Sequence, residues 1–306
     1  MLRRWKVLLL AIAAGGLVAW VVVAMLAREK EPTYGGKRLS EWVGIYSRGQ
    51  HRLDGHGIAE KEAGANAIRQ IGTNALPQLL AWMDDEPGGW LMKLNIVAYQ
   101  LPETFREPLV SMLGVERRCE RMDSAANCFA ALGTLGSPAV TELAKRVSSA
   151  SPRERAVALD ALSFLGSDAV PSMMAVLSDR KQGWDMQDAM RSVYNMGTNA
   201  YSLIPLVAQH LRNTDLDVAM SAGSLLGFLN LRPEVSVPAL TKALEDSRAD
   251  VRMTAAQGLE QFGALANPSV AELRKLLDDT NAAVRQGATN ALQTIAPEVL
   301  LSVRAR

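Results

Sequence analysis

Charged and polar side chains that could recognise a partner recur beyond each turn signal of the chain. They are Glu142, Lys145 and Arg146, then Gln209 and Arg212, Lys242 and Glu245, and Glu272 and Lys275. Their mixed signs suit electrostatic register with a protein rather than with a polyanion. Groups for covalent, acid–base or metal chemistry are sparse by comparison. His51, Asp54 and His56 share the stretch RGQHRLDGHG, but three potential ligands without a fourth make a poor cation site. Gly49, Gly55 and Gly57 make the stretch read as a solvated connection. His210 falls near the end of a helix, where a cation complements the dipole.

Cys119 and Cys128 are nine residues apart. On one continuous helix they stand about 13 Å apart by rise alone, too far for a disulfide. A new helix starting at Asp123–Ser124 would fold the chain back and leave a bridge open. No P-loop, dinucleotide fingerprint, G-x-S-x-G or H-E-x-x-H motif is present, so no catalytic, cofactor-binding or metal-ligating residues are expected. Asp84-Asp85-Glu86 and Asp278-Asp279 read as solvated turns. Met173, Met174, Met186, Met190 and Met196 read as core, and Trp82, Trp90 and Trp184 as packing at loop joints before partner anchors.

The elements that must position these side chains are helical and repeated. AIRQIGTNALPQLL around Gly72 recurs as AALGTLGSPAVTEL around Gly136, ALSFLGSDAVPSMM around Gly166 and GLEQFGALANPSVAEL around Gly263. The landmarks Gly72, Pro102, Gly136, Gly166, Gly197, Asn230, Gly263 and Ala296 are spaced by 30, 34, 30, 31, 33, 33 and 33 residues. Periods of this size mark stacked supersecondary units. Ala158, Leu159, Leu162 and Leu165 fall at helical steps. The landmark glycine should end the first helix in a left-handed position, with Asn230 next best and Ala296 lacking that freedom. Pro77, Pro171 and Pro268 should open a second helix. Each unit is expected to be helix, tight turn, helix.

This pattern resembles HEAT repeats, especially the short Ala- and Gly-rich bacterial kind related to phycobiliprotein-lyase repeats. Asp246 to Leu259 and the stretch from Val284 to Leu292 carry the likeness best. The resemblance implies a ladder of Asp before a first helix and Arg within it. Asp246 with Arg252 and Asp279 with Arg285 match, and Arg155 and Lys61 occupy the basic position of earlier units. The ladder breaks in the units of Pro102, Gly136, Gly197 and Asn230, where stacking is expected to be less regular. PTYGGKRLSEWV, from Pro32 to Val43, looks like the leading motif of membrane-tethered bacterial HEAT proteins. There Ser40 is expected to cap a short helix and Trp42 to cover the first repeat.

Composition and charge bound the rest. The 306 residues are 48% hydrophobic, 5% aromatic and 21% charged, which favours helices packed at small side chains. Val7 to Leu26 is twenty residues without a charge, enough to cross a bilayer. A cleaved secretory signal competes, but the run exceeds a typical h-region and no A-x-A-like site follows it. Arg3, Arg4 and Lys6 predict a cytoplasmic tail and a body on the far side of the membrane. Ala11, Gly15 and Ala19 read as ordinary small residues before a helix-pairing row. Residues 1–31 carry five basic and two acidic groups, +3 of the net +1, which leaves the body at −2. That balance speaks against nucleic acid.

The expectation is an all-α protein. Its segments are a basic tail (1–6), a transmembrane anchor (7–26), a linker with a capping helix (27–57) and an α-solenoid of about eight hairpins (58–306). It should serve as a non-enzymatic, single-pass scaffold for a protein partner. The alternatives are a HEAT-like lyase or isomerase acting on a bound cofactor, and a purely structural envelope protein.

Overall fold

A computed structural model describes residues 31–52, 54–149, 151–179 and 184–304. The expected anchor at 7–26 lies outside the described residues. Among those described, no helix is long and apolar enough to cross a membrane. The chain divides into two compact units, 1–78 and 79–306.

The first unit opens with a hairpin not anticipated from sequence. Strands β1 (Thr33–Tyr34) and β2 (Lys37–Arg38) pair antiparallel, Thr33 with Arg38 and Tyr34 with Lys37. Gly35 and Gly36 both have positive φ, at 55° and 77°, as a two-residue hairpin turn of this kind requires. Helix α1 (Leu39–His51) follows at once. Arg38, not Ser40, precedes its first turn, and Glu41 accepts from the Arg38 N–H at 3.4 Å. Trp42 is half-buried on this helix. Its indole N–H donates to the Tyr34 carbonyl at 2.9 Å, and Lys37 Nζ lies 4.9 Å above its ring.

Helix α2 (Gly55–Ile71) is capped by Asp54, which accepts from Gly57 N–H at 2.7 Å. The stretch expected to be a loop is therefore mostly helix. Gly49 is a contact residue, since a Cβ there would sit 2.3 Å from Lys61 N. Gly64 likewise faces the Tyr46 backbone at 2.8 Å. A turn of 3-10 helix (Gly72–Ala75) leads into α3 (Leu76–Met83), with Pro77 in its first turn.

The second unit is an all-α helical repeat of solenoid-like kind. It begins at Leu79 within α3, and its first complete helices are α4 (Gly89–Tyr99) and α5 (Glu103–Leu113). Six first-then-second pairs follow. They are α6 (Val115–Leu132) with α7 (Val140–Arg146), and α8 (Pro152–Ser163) with α9 (Val170–Ser178). Next come α10 (Trp184–Met196) with α11 (Ile204–Gln209), and α12 (Leu216–Leu229) with α13 (Pro233–Ala243). The last are α14 (Ala249–Phe262) with α15 (Val270–Lys275), and α16 (Ala282–Ile295) with α17 (Pro297–Arg304).

First helices pack on first helices in chain order. Their seam is narrow because of glycine: a Cβ on Gly227 would lie 2.6 Å from Gly258 Cα, and one on Gly258 would lie 3.1 Å from Gly223 O. Phe129, Leu162, Leu226, Ala255, Leu259 and Leu292 are buried within the stack.

The helix ends correct two landmarks. Gly133, not Gly136, closes α6, with φ 53° and ψ −133°. From it the landmarks Gly133, Gly166, Gly197, Asn230, Gly263 and Ala296 fall 33, 31, 33, 33 and 33 residues apart. Gly136 is instead a packing residue, where a Cβ would meet a Leu165 methyl at 2.6 Å. Pro102 sits ahead of α5 with an extended ψ of 146°, and the positive φ of that unit belongs to Gly114 at 63°. Gly72, Gly133 and Gly263 share φ of 51–61° with ψ of −132° to −138°, a region essentially closed to residues with a Cβ. A 3-10 segment follows each of the three. Pro268 lies inside such a segment, two residues before α15, rather than in the helix it was expected to open. At Asn230 the chain adopts φ 49° and ψ 38° and runs through Leu231 and Arg232 into α13.

Candidate partner-binding face

Consecutive second helices are short, and hollows open between them. Gln209 and Arg212, at the end of α11 and the 3-10 turn after it, line a 540 Å³ hollow with Lys242 and Glu245 at the end of α13. Lys242 and Glu245 also border a 670 Å³ hollow that reaches Pro268 and Glu272. Two concavities thus meet across one ridge, and five of the nine residues singled out from sequence surround them. Gln209, Arg212, Lys242 and Glu245 are exposed. Lys275, one turn beyond Glu272, lies 3.8 Å from it as an ion pair.

The remaining three residues do something else. Arg146 is a strut: its side chain is only 9% exposed and donates through Nε and Nη2 to both carboxylate oxygens of Asp84, each at 2.8 Å. Glu142 accepts from Arg146 Nη1 at 3.0 Å and from Lys145 at 3.1 Å. The Arg146 guanidinium is held above its usual value chiefly by the Asp84 hydrogen bonds. It is therefore not offered to a partner, and Asp84, in the solvent-exposed turn expected for it, also serves to hold Arg146.

A larger hollow of 720 Å³ lies between α7 and α9, lined by Ala144, Pro171 and Ala175 together with Arg155 and Asp179. Sequence reading did not single it out.

The Asp–Arg ladder is present but offset by one repeat. Arg252 pairs with Asp279 of the next unit, Nε to Oδ2 at 2.8 Å and Nη2 to Oδ1 at 3.0 Å. Within its own unit Arg252 binds the Asp246 backbone carbonyl at 2.7 Å. Arg155 repeats that contact with Ser149 O at 2.7 Å, and Arg285 with Asp279 O at 2.6 Å. Lys61 is exposed on α2. Ala219 stands where the preceding unit would need its Arg, and Asp246 is served by Arg248 at 2.9 and 3.0 Å. Arg248 also reaches back to Asn213 O at 2.7 Å. Asp246 and Asp279 are both held below the usual carboxylate range, by hydrogen bonds from Arg248 and Arg252 respectively.

Units without the ladder are bridged elsewhere. Arg153 binds Asp123 at 2.7 Å, and Arg191 contacts Asp160 at 3.3 Å. Burial raises the Asp160 carboxyl pKa despite the neighbouring Arg191.

Other candidates resolve as structural. Helix α6 runs unbroken through Asp123–Ser124, both cysteines are free, and Cys128 is buried with Sγ 3.0 Å from Ser124 O. Burial pushes its thiol pKa up. His210 Nε2 lies 2.9 Å from Leu177 O, a link between repeats. Among the described residues no group of His, Cys, Asp and Glu is placed to hold a metal ion.

Residues 203–293 match a family profile described as HEAT repeats. Among solved structures the chain is similar to the complex of CpcE and CpcF of phycocyanin lyase from Nostoc, at 22% identity and a TM-score of 0.41 over 50% of this chain and 98% of that one. An engineered protein is 14% identical with a TM-score of 0.43, covering 90% of this chain and 89% of that one. Human deoxyhypusine hydroxylase in complex with glycerol is 17% identical with a TM-score of 0.36, covering 84% and 96%. No curated protein matches the chain.

Proposed function

HEAT repeats make up residues 203–293 of this chain, and from that premise we propose that it is a membrane-tethered adaptor binding a protein along its second-helix face. The carrying observation is the pair of hollows that share Lys242 and Glu245. Stacked hairpins generate extended surfaces of this kind, and binding is their natural use. Exposed charges of both signs across one ridge favour a partner of complementary charge pattern. The tether is supported by the uncharged run from Val7 to Leu26, and the basic residues before it favour a body outside the cytoplasm.

A HEAT-like lyase or isomerase would need several converging acid–base groups around a bound cofactor. The 720 Å³ hollow between α7 and α9 carries one Arg and one Asp, so the adaptor reading stands ahead of it.

The test combines Gln209→Ala, Arg212→Glu, Lys242→Glu and Glu245→Lys in the full-length chain and cross-links it in cells. Loss of a partner captured by the wild type supports the reading. Retention of every partner removes this face as the interface. A reporter active only outside the cytoplasm, fused after Arg306, reads the orientation.

A further inference from the structure

Helix α4 is apolar around most of its circumference, interrupted only by Lys93 and Asn95. Leu91 and Ala98 turn inward, while Met92, Leu94, Ile96 and Val97 are exposed. A helix that is hydrophobic all round is normally covered. Helix α5 adds to the same deficit: it has no fully buried residue, and Phe105 and Met112, seven positions apart and so on one face, are 68% and 75% exposed. These two consecutive helices hold the densest group of exposed large apolar side chains among the described residues. Tyr99 Oη donates to Glu116 at the start of α6.

We propose that the α4–α5 hairpin lies against the lipid bilayer that the chain's own apolar segment enters, a reading that rests on the membrane tether proposed above. Three features choose lipid over protein. Trp90, 72% exposed, and Tyr99 stand near the two ends of α4, as aromatic side chains do at the headgroup level. Lys93, the one charge on α4, has a stem long enough to bring its ammonium to the headgroups. The hairpin is also the first helix pair lying wholly within the second unit, counted along the chain from the apolar segment. Because Glu103, Arg106 and Glu107 of α5 mix signs, the attraction is hydrophobic, not one for anionic headgroups.

The full-length chain, with Cys119→Ser and the buried Cys128 retained, is reconstituted into phosphatidylcholine bilayers containing spin-labelled lipid. A dye is placed by Ile96→Cys, Met112→Cys, Ile12→Cys or Gln286→Cys. Labels at 96 and 112 should be quenched about threefold more than the label at 286, with little change when anionic lipid is added. Quenching at 12 without quenching at 96 and 112 overturns the inference and leaves the tether standing. No quenching at 12 overturns the tether and the inference together. Blue-shifted emission at 96 without quenching shows a protein cover, whether a second copy or another segment, and also overturns it. Phe105→Cys replaces either label site if that variant does not fold.

Discussion

Arg252 and Asp279 join one repeat to the next through two hydrogen bonds of 2.8 and 3.0 Å, with their side chains only 15% and 8% exposed. Asp279 also accepts the Asn281 N–H at 2.8 Å, so one carboxylate ties the preceding first helix to the start of α16. Removing it leaves Nε and Nη2 of a largely buried guanidinium without their acceptor. Asp279→Ala should destabilise the chain by about 2 kcal/mol, measured by urea unfolding of the detergent-solubilised full-length protein.

The same pair sets a pH dependence. The Asp279 carboxyl is held below its ordinary value by Arg252, so its contribution is complete above the ordinary aspartate range and lost as pH falls through the lowered folded value. The stability difference between wild type and Asp279→Asn should be full at pH 6 and shrink towards pH 2. A constant difference would mean that ionisation of Asp279 does not matter.

The glycine seam predicts opposite signs for one substitution. Gly227→Ala puts a methyl 2.6 Å from Gly258 Cα and should cost about 2 kcal/mol through overpacking. Gly287→Ala meets its neighbours at 3.6 Å or more and should stabilise by about 0.5 kcal/mol or more through helix propensity. Thermal melts of both variants check the pair.

At the turns, Gly263 has φ 51° and ψ −132° whereas Asn230 has φ 49° and ψ 38°. Gly263→Asn should therefore cost about 1–3 kcal/mol. Asn230→Gly should cost about 1 kcal/mol or less, the worth of the Asn230 Nδ2 bond to Gln261 O. Urea midpoints of the two variants give the comparison.

Much of this architecture could be read from residue order, and the misses have physical causes. The repeat was visible because helical apolar spacing and a closing glycine recur together. It slipped by three residues at Gly136 because a packing glycine and a turn glycine look alike in one dimension. Backbone conformation tells them apart, since Gly133 carries the positive φ. The ladder's residue types were recognised, but not that Arg252 reaches forward to Asp279 instead of pairing with Asp246. Sequence spacing does not say which neighbour a long side chain will meet. Gln209, Arg212, Lys242, Glu245 and Glu272 came together as a surface. Arg146 did not, because it is adjacent to Lys145 on a seven-residue helix and points about 100° away from it, towards Asp84.

The adaptor account is tested most directly by photo-cross-linking in living cells from single positions on the two sides of the stack. Reactive residues at 209, 242 and 245 should each yield the same adduct, and that adduct should vanish with Arg212→Glu and Lys242→Glu. Positions 260 and 286 on the first helices should not form it. An adduct formed equally from both sides, or from the first helices alone, would contradict the assignment of the second-helix face.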